Sequence, residues 1–479
     1  MDIKSQSLFF VGIKGVAMAN LAQIAKQMGA RVTGSDLAEE FITDPFLSKS
    51  EIHVITSFEP SELPKEIDIL IYSAAHGGTQ NSQVQEAQKR GISVIHQAQF
   101  LAEIVSLSKT SIAVSGCHGK TTTSGLLAFA LAKLTNTSSH MVGVSGFNDL
   151  AGGMFRGQDY FVFEADEYGM DPPRDITPKF HLVKPSFAVI TNIDFDHPDV
   201  YSSLSEVQDA YQIFINHILE QNERETPLIL SGEDPQLAKL ITKLPSDSYL
   251  LYGSGVDCDV RYTTISYEEN KTRFSITSSY FEIGEVEMEI ALFGEKNVQN
   301  ALVGITVLLL LGFKIDQIRT VIAGYTGPKR RFEMKFQEKG IMCFDDYAHH
   351  PTEIEATIKA CQSRFPNKKL IVIFQPHTYS RTESFKEAFV ETLSLADDVL
   401  LLPIFGSARE SEAKTSIHSQ DLVTLSEHKE MKNFQAFEDR DSLITHLKTR
   451  LKPGDIVMTM GAGDVYQLSD RIHELVDSQ

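Results

Sequence analysis

Short apolar runs alternate with stretches of helical period along most of this chain. Near its start, "SLFFVGIKGVAMANLAQIAKQMGARVTGSD" reads as a strand, a glycine turn, a helix with an Ala/Leu/Met period and a second strand ending at Asp36. "IDILIYSAA" and "GISVIH" repeat the short-strand pattern at spacings that leave room for a helix over about 79–90. Residues 1–106 are therefore expected to form a small parallel-sheet domain, ending near "LAEIVSLSK". A second unit, 107–327, opens with "TSIAVSGCHGKTTTSGLLAFALAKL", in the order strand, glycine loop, helix. Within it "YFVFEAD" and "SFAVITNID" are apolar runs that end in acids, as buried parallel strands with functional carboxyl ends do. Residues 248–293 alternate polar with apolar positions and predict an antiparallel sheet, and "EKNVQNALVGITVLLLLGF" predicts a helix. After the turn "TGPKRRFE" the alternation restarts with "IMCFDDYA", a helix over 351–363, "KLIVIFQPH", "DDVLLLPIFG" and "DIVMTMGAGD", which predicts a third, doubly wound α/β domain over 328–479.

Length agrees with several cores, since 479 residues is about three times an ordinary domain of ~150. The formal charge of −20, from 44 basic and 64 acidic side chains, argues against broad attraction to nucleic-acid phosphates or anionic lipid. The longest apolar run, 301–313, is shorter than the roughly 20 residues of a membrane helix, and the polar start "MDIKSQS" lacks a signal-peptide flank. A cytoplasmic protein with no nucleic-acid or membrane partner is expected. The four cysteines, Cys117, Cys258, Cys343 and Cys361, form no C-x-x-C pair and are read as reduced thiols.

The strongest chemical signal is "VSGCHGKTTTSG" at 114–125. It resembles a Walker A loop, but Val114 stands where the first glycine of the usual spacing belongs. Gly116 and Gly119 free the backbone to turn N–H groups toward a phosphate, Lys120 can reach the outer phosphates, and Thr121 can ligate Mg²⁺ at the helix start. "EADE" (164–167) and "DFDH" (194–197) sit at the ends of the next two predicted strands, where ligands gather in open α/β sheets, and are candidates to complete a magnesium site with Thr121. Glu164 suits a hard cation, whereas histidine such as His197 is an unusual magnesium ligand. "GIKGVAMA" lacks the glycines of a dinucleotide fingerprint at Lys14 and Ala17, but Gly12 and Gly15 still open a helix able to hold a diphosphate. In the last third, Arg330 and Arg331 can pair with phosphate, and Arg381 or Arg409 with a carboxylate. His349 and His350, just before Pro351, can bind substrate, move a proton, or be structural.

The order "GCHGKTTT", "EADE", "TNIDFDHPD", "GEKNVQNA", "KRRFE", "DDYAHHPTEI", "FQPHTYSRT", "IFGSARE", "TMGAGD" resembles the Mur ligases of peptidoglycan synthesis across essentially the whole chain. The short glycine loop is the form that family uses. The resemblance implies three domains: an amino-terminal Rossmann-like domain for a UDP-sugar, a central P-loop ATPase and a carboxy-terminal Rossmann-like domain. It implies ATP and Mg²⁺, UDP-N-acetylmuramate and L-alanine as reactants, and a monomer or weak homodimer. Carried over motif by motif, Gly116, Gly119, Lys120, Thr121, Thr122, Asn297, Arg331 and Asp346 would bind ATP, and Thr121, Glu164 and His197 would serve metal. Gly12, Gly15, Ser35, Asp36, Ser73 and His76 would line the UDP-sugar site. His349, His350, Arg381 and Arg409 would surround the amino acid, with Lys120, His197, His349, His350 and Arg381 in the catalytic set. The chain departs from the family at Lys14 (usually glycine), at Lys296 (usually histidine) and in the long, proline-rich stretch 168–186 between the two acidic motifs.

The chemistry implied is attack of a lactyl carboxylate on the ATP γ-phosphate, then of the amine on the acyl phosphate, with His349, His350 or solvent taking the proton. Three rivals make different predictions. A ligase of the same mechanism acting on a preformed tripeptide in recycling needs a larger acceptor pocket. An ATP-hydrolysing switch turns over without an amino acid, and a nicotinamide oxidoreductase needs the fingerprint that is broken here.

Overall fold

The computed structural model describes residues 2–221, 226–268, 271–406, 417–431 and 433–478. They form two compact units, one of residues 2–292 and 297–328, the other of 293–296 and 329–478.

The first unit contains two of the expected sheets. One is five-stranded and wholly parallel, in the order His53–Ile55, Arg31–Ser35, Ser7–Val11, Ile69–Tyr72, Ser93–His96. This is a Rossmann-type order whose direction reverses between Ser7–Val11 and Ile69–Tyr72, so the carboxyl ends of those two strands frame a ligand crevice. The predicted helix over 79–90 is Ser82–Lys89, capped by the Asn81 side chain.

The second sheet has ten strands, in the order Ile283–Ile290, Lys271–Ser278, Val260–Glu268, Tyr249–Gly253, Leu228–Ser231, Phe187–Ile190, Thr110–Ser115, Tyr160–Glu164, Ser138–Phe147, Leu150–Met154. The expected antiparallel sheet over 248–293 is not separate. Tyr249–Gly253 pairs parallel to Leu228–Ser231, and the antiparallel hairpins continue the same sheet from there. Extending the parallel sheet satisfies backbone groups that an open edge would leave exposed. Helix Lys120–Leu134 is buried continuously from Thr121 to Leu131, as its nearly unbroken small and apolar sequence requires, and it packs between this sheet and helices Glu295–Leu310 and Ile315–Ile322.

The pattern of polar positions did not reveal why the first two sheets form one unit. Asn20, on helix Val16–Gln27, is 1% exposed and donates from Nδ2 to the carbonyls of Val142 (2.9 Å) and Val144 (3.0 Å) on the central sheet. An amide buried on an otherwise apolar helix face is stable only with such partners. His96 is a second buried polar group here, its Nδ1 accepting the Ala98 N–H at 3.1 Å as helix cap. Burial lowers its pKa to about 4, with Lys179 adding to the effect. A depressed histidine pKa stabilises the fold above the unfolded value of ~6.5, and this contribution is lost as pH falls toward 4, amounting to about 3 kcal/mol. Chemical denaturation of wild type and of His96→Asn, which keeps an acceptor for the Ala98 N–H, should show a shallower acid dependence in the variant between pH 6.5 and 4.

The second unit is a six-stranded sheet, in the order Glu333–Glu338, Ile341–Asp346, Ile456–Met460, Leu370–Phe374, Asp398–Leu401, Phe434–Ala436, antiparallel only at its first pair. The predicted helix over 351–363 is Pro351–Arg364.

Candidate active site

The glycine loop connects strand Thr110–Ser115 to helix Lys120–Leu134, with Gly119 in the left-handed region as the helix cap. Its floor is the Thr191–Asp194 segment that follows strand Phe187–Ile190. The His118 N–H donates to Asn192 Oδ1 (2.9 Å), Thr191 Oγ1 donates to the His118 carbonyl (2.6 Å), and His118 Nε2 lies 3.0 Å from Asp194 Oδ2. Asn300 closes the other side, with its Oδ1 accepting from Thr123 Oγ1 at 3.3 Å and its Nδ2 donating to Asn297 Oδ1 at 3.3 Å. Asn297 is thus within one helical turn of the loop's neighbour. Thr121 and Thr122 are buried in the first helical turn, where the Thr122 carbonyl accepts from the Tyr325 hydroxyl at 3.0 Å. Burial pushes the Cys117 thiol well up, so it stays protonated and is no nucleophile.

Lys120 folds back on its own loop. Its Nζ is 2.9 Å from both oxygens of Glu167 and donates to the Gly116 carbonyl at 2.6 Å. Burial opposes its charge, yet Glu167, with Asp166 behind it, outweighs burial and raises the lysine pKa. Glu167 is 1% exposed. The sequence singled out Glu164 from "EADE". In the structure Glu164 accepts from the Gly143 N–H (2.6 Å) and Ser124 Oγ (3.2 Å), whereas the carboxylates whose oxygens lie within 4.8 Å of a His197 ring nitrogen and of each other are Asp166 and Glu167. Asp166 is also paired with Lys179 at 2.8 Å; burial works against its charge, but Lys179, Lys120 and His197 hold its pKa well below the usual carboxylate range. Asp166, Glu167 and Lys179 are the residues the sequence reading missed. Two of them stood in the quoted motif, but strand alternation shows only which face a side chain takes. A cavity of about 250 Å³ lies between helices Val16–Gln27 and Gln97–Val105, with Leu21, Met141 and Phe163 on its apolar side and Lys120, Glu164 and Lys179 at its polar end.

The expected diphosphate residues converge at the crevice of the five-stranded sheet. Gly15 caps helix Val16–Gln27, with no side chain occupying the cap position. Asp36 is fully buried, accepting from the Lys14 N–H (2.7 Å) and Leu37 N–H (2.8 Å), with His76 Nε2 at 3.4 Å. His76 also overhangs Gly12, where a Cβ would sit 3.1 Å from its ring, with Ser73 Oγ at 3.8 Å. Ser35 is turned away and donates to Gln83 Oε1 at 2.6 Å. Lys14, the departure in this turn, points its Nζ to the Glu39 carbonyl (2.7 Å) and Asp44 (3.3 Å), leaving the helix start clear.

In the second unit, Arg330 is held by Asp345 (2.8 Å) and the Gly461 and Gly463 carbonyls (2.7 and 3.0 Å), a structural role. Arg331 lies over the Tyr347 ring and 3.6 Å from Glu353. Asp346 accepts the N–H groups of Phe332 (2.8 Å) and Ala348 (2.7 Å), and burial lifts its carboxyl to about 6 against the pull of Arg331. His350 is 3% exposed and caps helix Pro351–Arg364, its Nδ1 accepting from the Thr352 N–H at 3.3 Å. That ring nitrogen is committed to the fold. His349 lies beside Glu353 (3.3 Å) and 6.1 Å, ring to ring, from His377, which in turn is 3.5 Å from Arg381. His377 was quoted within "FQPHTYSRT" but not selected, and it belongs to the same cluster as His349 and Arg381. Arg409 lies outside the described residues.

Family models match the chain in three successive stretches: Mur ligase family, catalytic domain, over 8–109; Mur ligase middle domain over 114–308; and Mur ligase, glutamate ligase domain, over 330–463. Curated relatives include UDP-N-acetylmuramate--L-alanine ligases from Desulfitobacterium hafniense (33% identical, 97% of this chain and 99% of the relative) and Pediococcus pentosaceus (35%, 96% and 97%). Among solved structures, the chain is similar to UDP-N-acetylmuramate-alanine ligase MurC from Thermotoga maritima (TM-score 0.78, 23% identity, 98% of this chain and 99% of that one). It is also similar to a murein peptide ligase from Psychrobacter arcticus (TM-score 0.73, 23% identity, 98% and 99%).

Proposed function

Because the chain belongs to the Mur ligase family, we propose that it joins L-alanine to the lactyl carboxylate of UDP-N-acetylmuramate at the expense of ATP, in peptidoglycan precursor synthesis. The observation that carries the reading is Lys120, half-buried at the start of helix Lys120–Leu134 and paired with the buried Glu167, at the polar end of a cavity that reaches from the first sheet's helices to the glycine loop. Domain limits at 1–106, 107–327 and 328–479, a cytoplasmic location, a monomer or weak homodimer, and no nucleic-acid or membrane partner belong to the same reading. No helix among the described residues is long and apolar enough to cross a membrane.

A carboxylate is a poor acyl donor, since oxide would have to leave. Transfer of the γ-phosphoryl group to the lactyl oxygen breaks its bond to the ADP oxygen and makes an acyl phosphate. The neutral amine of L-alanine then attacks the acyl carbon, expelling inorganic phosphate and losing a proton. Two anions meet in the first step, so positive charge and fixed N–H dipoles govern it. Lys120 supplies charge after leaving Glu167, and the 116–120 backbone supplies N–H groups. Mg²⁺ would be held by the Thr121 hydroxyl and the Glu164 carboxylate, with His197 beside Asp166 and Glu167, and when bound it would neutralise phosphate charge. Asn297, Arg331 and Asp346 are assigned to the nucleotide, and His349 and Arg381 to the amino acid. His350, as a helix cap, is the weaker choice of base.

A second reading, attachment of a preformed tripeptide, is favoured by the likeness to a murein peptide ligase and by the added segment 168–186. Phosphate release from ATP with UDP-N-acetylmuramate and, in separate reactions, L-alanine, glycine, L-serine or L-alanyl-γ-D-glutamyl-diaminopimelate separates the two. Release requiring both the sugar nucleotide and L-alanine is expected. Release with the tripeptide alone would move the assignment to recycling, and release indifferent to acceptor would replace the ligase by an ATP-hydrolysing switch.

A further inference from the structure

We infer that the hairpin 169–178, inserted between the two acidic motifs, is a positioning element of the UDP-sugar site, acting through the Asp171–Arg174 pair on the turn that carries His76. The inference rests on the ligase reading and deepens it by adding residues outside the carried-over motifs.

The turn needs an external brace. His76, Gly77 and Gly78 have φ of 55°, 90° and 55°, three successive residues at positive φ, and for a histidine this conformation is uncommon. Such a conformation persists only where its surroundings impose it. From its own side the turn is held by Asn81, whose Nδ2 donates to the His76 carbonyl at 3.1 Å. From the other side it is held by the hairpin. Strands Gly169–Asp171 and Asp175–Pro178 pair antiparallel, and Arg174 between them donates from Nε and Nη2 to the two oxygens of Asp171 at 2.9 and 2.7 Å. The same Nη2 donates to the Gly77 carbonyl at 2.9 Å. The Asp171 carboxylate, on a residue 4% exposed, lies 2.6 Å from where a Cβ on Gly78 would be, so the turn and the hairpin meet backbone to side chain with no room between them.

What the brace positions is the His76 ring, over Gly12 and against Asp36, at the carboxyl ends of strands Ser7–Val11 and Ile69–Tyr72. That is the point where the sheet order reverses and where a diphosphate would meet the start of helix Val16–Gln27. The segment is anchored beyond the hairpin as well, through Lys179 on Asp166 and Tyr168 Oη on Asp199 at 2.5 Å. It therefore ties the sugar-nucleotide crevice to the acidic motif beside Lys120. Replacing Arg174 removes the link to Gly77 without opening the core, because its side chain is 41% exposed.

The test compares wild type with Arg174→Ala, Arg174→Lys and Asp171→Asn, by calorimetric titration of UDP-N-acetylmuramate and of ATP and by steady-state rates. In Arg174→Ala and Asp171→Asn, Kd and KM for UDP-N-acetylmuramate should rise about tenfold, the scale of one lost charge-assisted hydrogen bond, while ATP affinity and kcat at saturation stay within about twofold. Arg174→Lys should fall between wild type and Arg174→Ala, since one ammonium can reach Gly77 but cannot grip Asp171 with two parallel bonds. Unchanged sugar-nucleotide affinity in both Arg174→Ala and Asp171→Asn, or equal losses for sugar nucleotide, ATP and kcat, would overturn the inference. Wild-type protein with no affinity for UDP-N-acetylmuramate would overturn the ligase reading and the inference together.

Discussion

Lys120→Ala should lower kcat by about a thousandfold or more, because phosphoryl transfer between two anions depends on positioned charge more than on covalent chemistry. The same variant should lose stability for a separate reason. Glu167, 1% exposed, has both oxygens 2.9 Å from the Lys120 Nζ, and removing one member of a buried pair typically costs about 3–5 kcal/mol. Adding Glu167→Gln to Lys120→Ala should therefore recover much of the stability and none of the activity. Calorimetric unfolding of both variants beside wild type, with single-turnover rates, separates the two effects. A Lys120→Ala protein that retains turnover would remove the lysine from the phosphate site, and a double variant no more stable than the single would show that the pair contributes little to the fold.

Gly116→Ala should be nearly as damaging, although it adds one methyl group. Gly116 has φ of 126°, and a Cβ there would lie 2.0 Å from Thr191 Oγ1. Thr191 cannot readily turn aside, because its hydroxyl bonds to the Ser115 and His118 carbonyls, which hold the loop to its floor. Strain plus overpacking should cost about 2–5 kcal/mol, and ATP affinity should fall by about a hundredfold or more as the N–H groups lose alignment. Adding Thr191→Ala opens the space but leaves the backbone angle unrelieved, so stability should return only in part. ATP titration of the single and double variants checks this, and full recovery in the double would show that crowding alone dictates glycine at 116.

Strand, glycine loop and helix at 110–134 were legible because local backbone demands leave local marks: an apolar run, Gly116 and Gly119 at positive φ, and a helix start. The acidic motifs were legible as strand ends for the same reason. Their division of labour was not. Glu164 contacts Gly143 and Ser124 while Glu167 takes Lys120, although both occur in one tetrapeptide. Likewise, His349 and His350 are neighbours in sequence with equal chemistry, yet one lies beside His377 and the other caps a helix. The antiparallel character of the strands after 260 was visible in their alternation, whereas the parallel pairing of Tyr249–Gly253 was not, because pairing partners come from distant segments.

By itself, the sequence determined the α/β class, the order of three sheet-forming regions, the glycine loop between strand and helix and, through the order of its motifs, the family. Those properties depend on periodicity, on glycine's access to positive φ and on side-chain chemistry, each carried by a short stretch of chain. Only the tertiary structure decided that Asn20 ties the first sheet's helix to the central sheet, that Lys120 rests on Glu167, and that Arg174 reaches Gly77 across 97 positions of sequence. Each of these contacts joins a buried or strained group to a partner from a distant segment, and no local pattern encodes the partner, because the free energy that selects it arises only when both are withdrawn from water together.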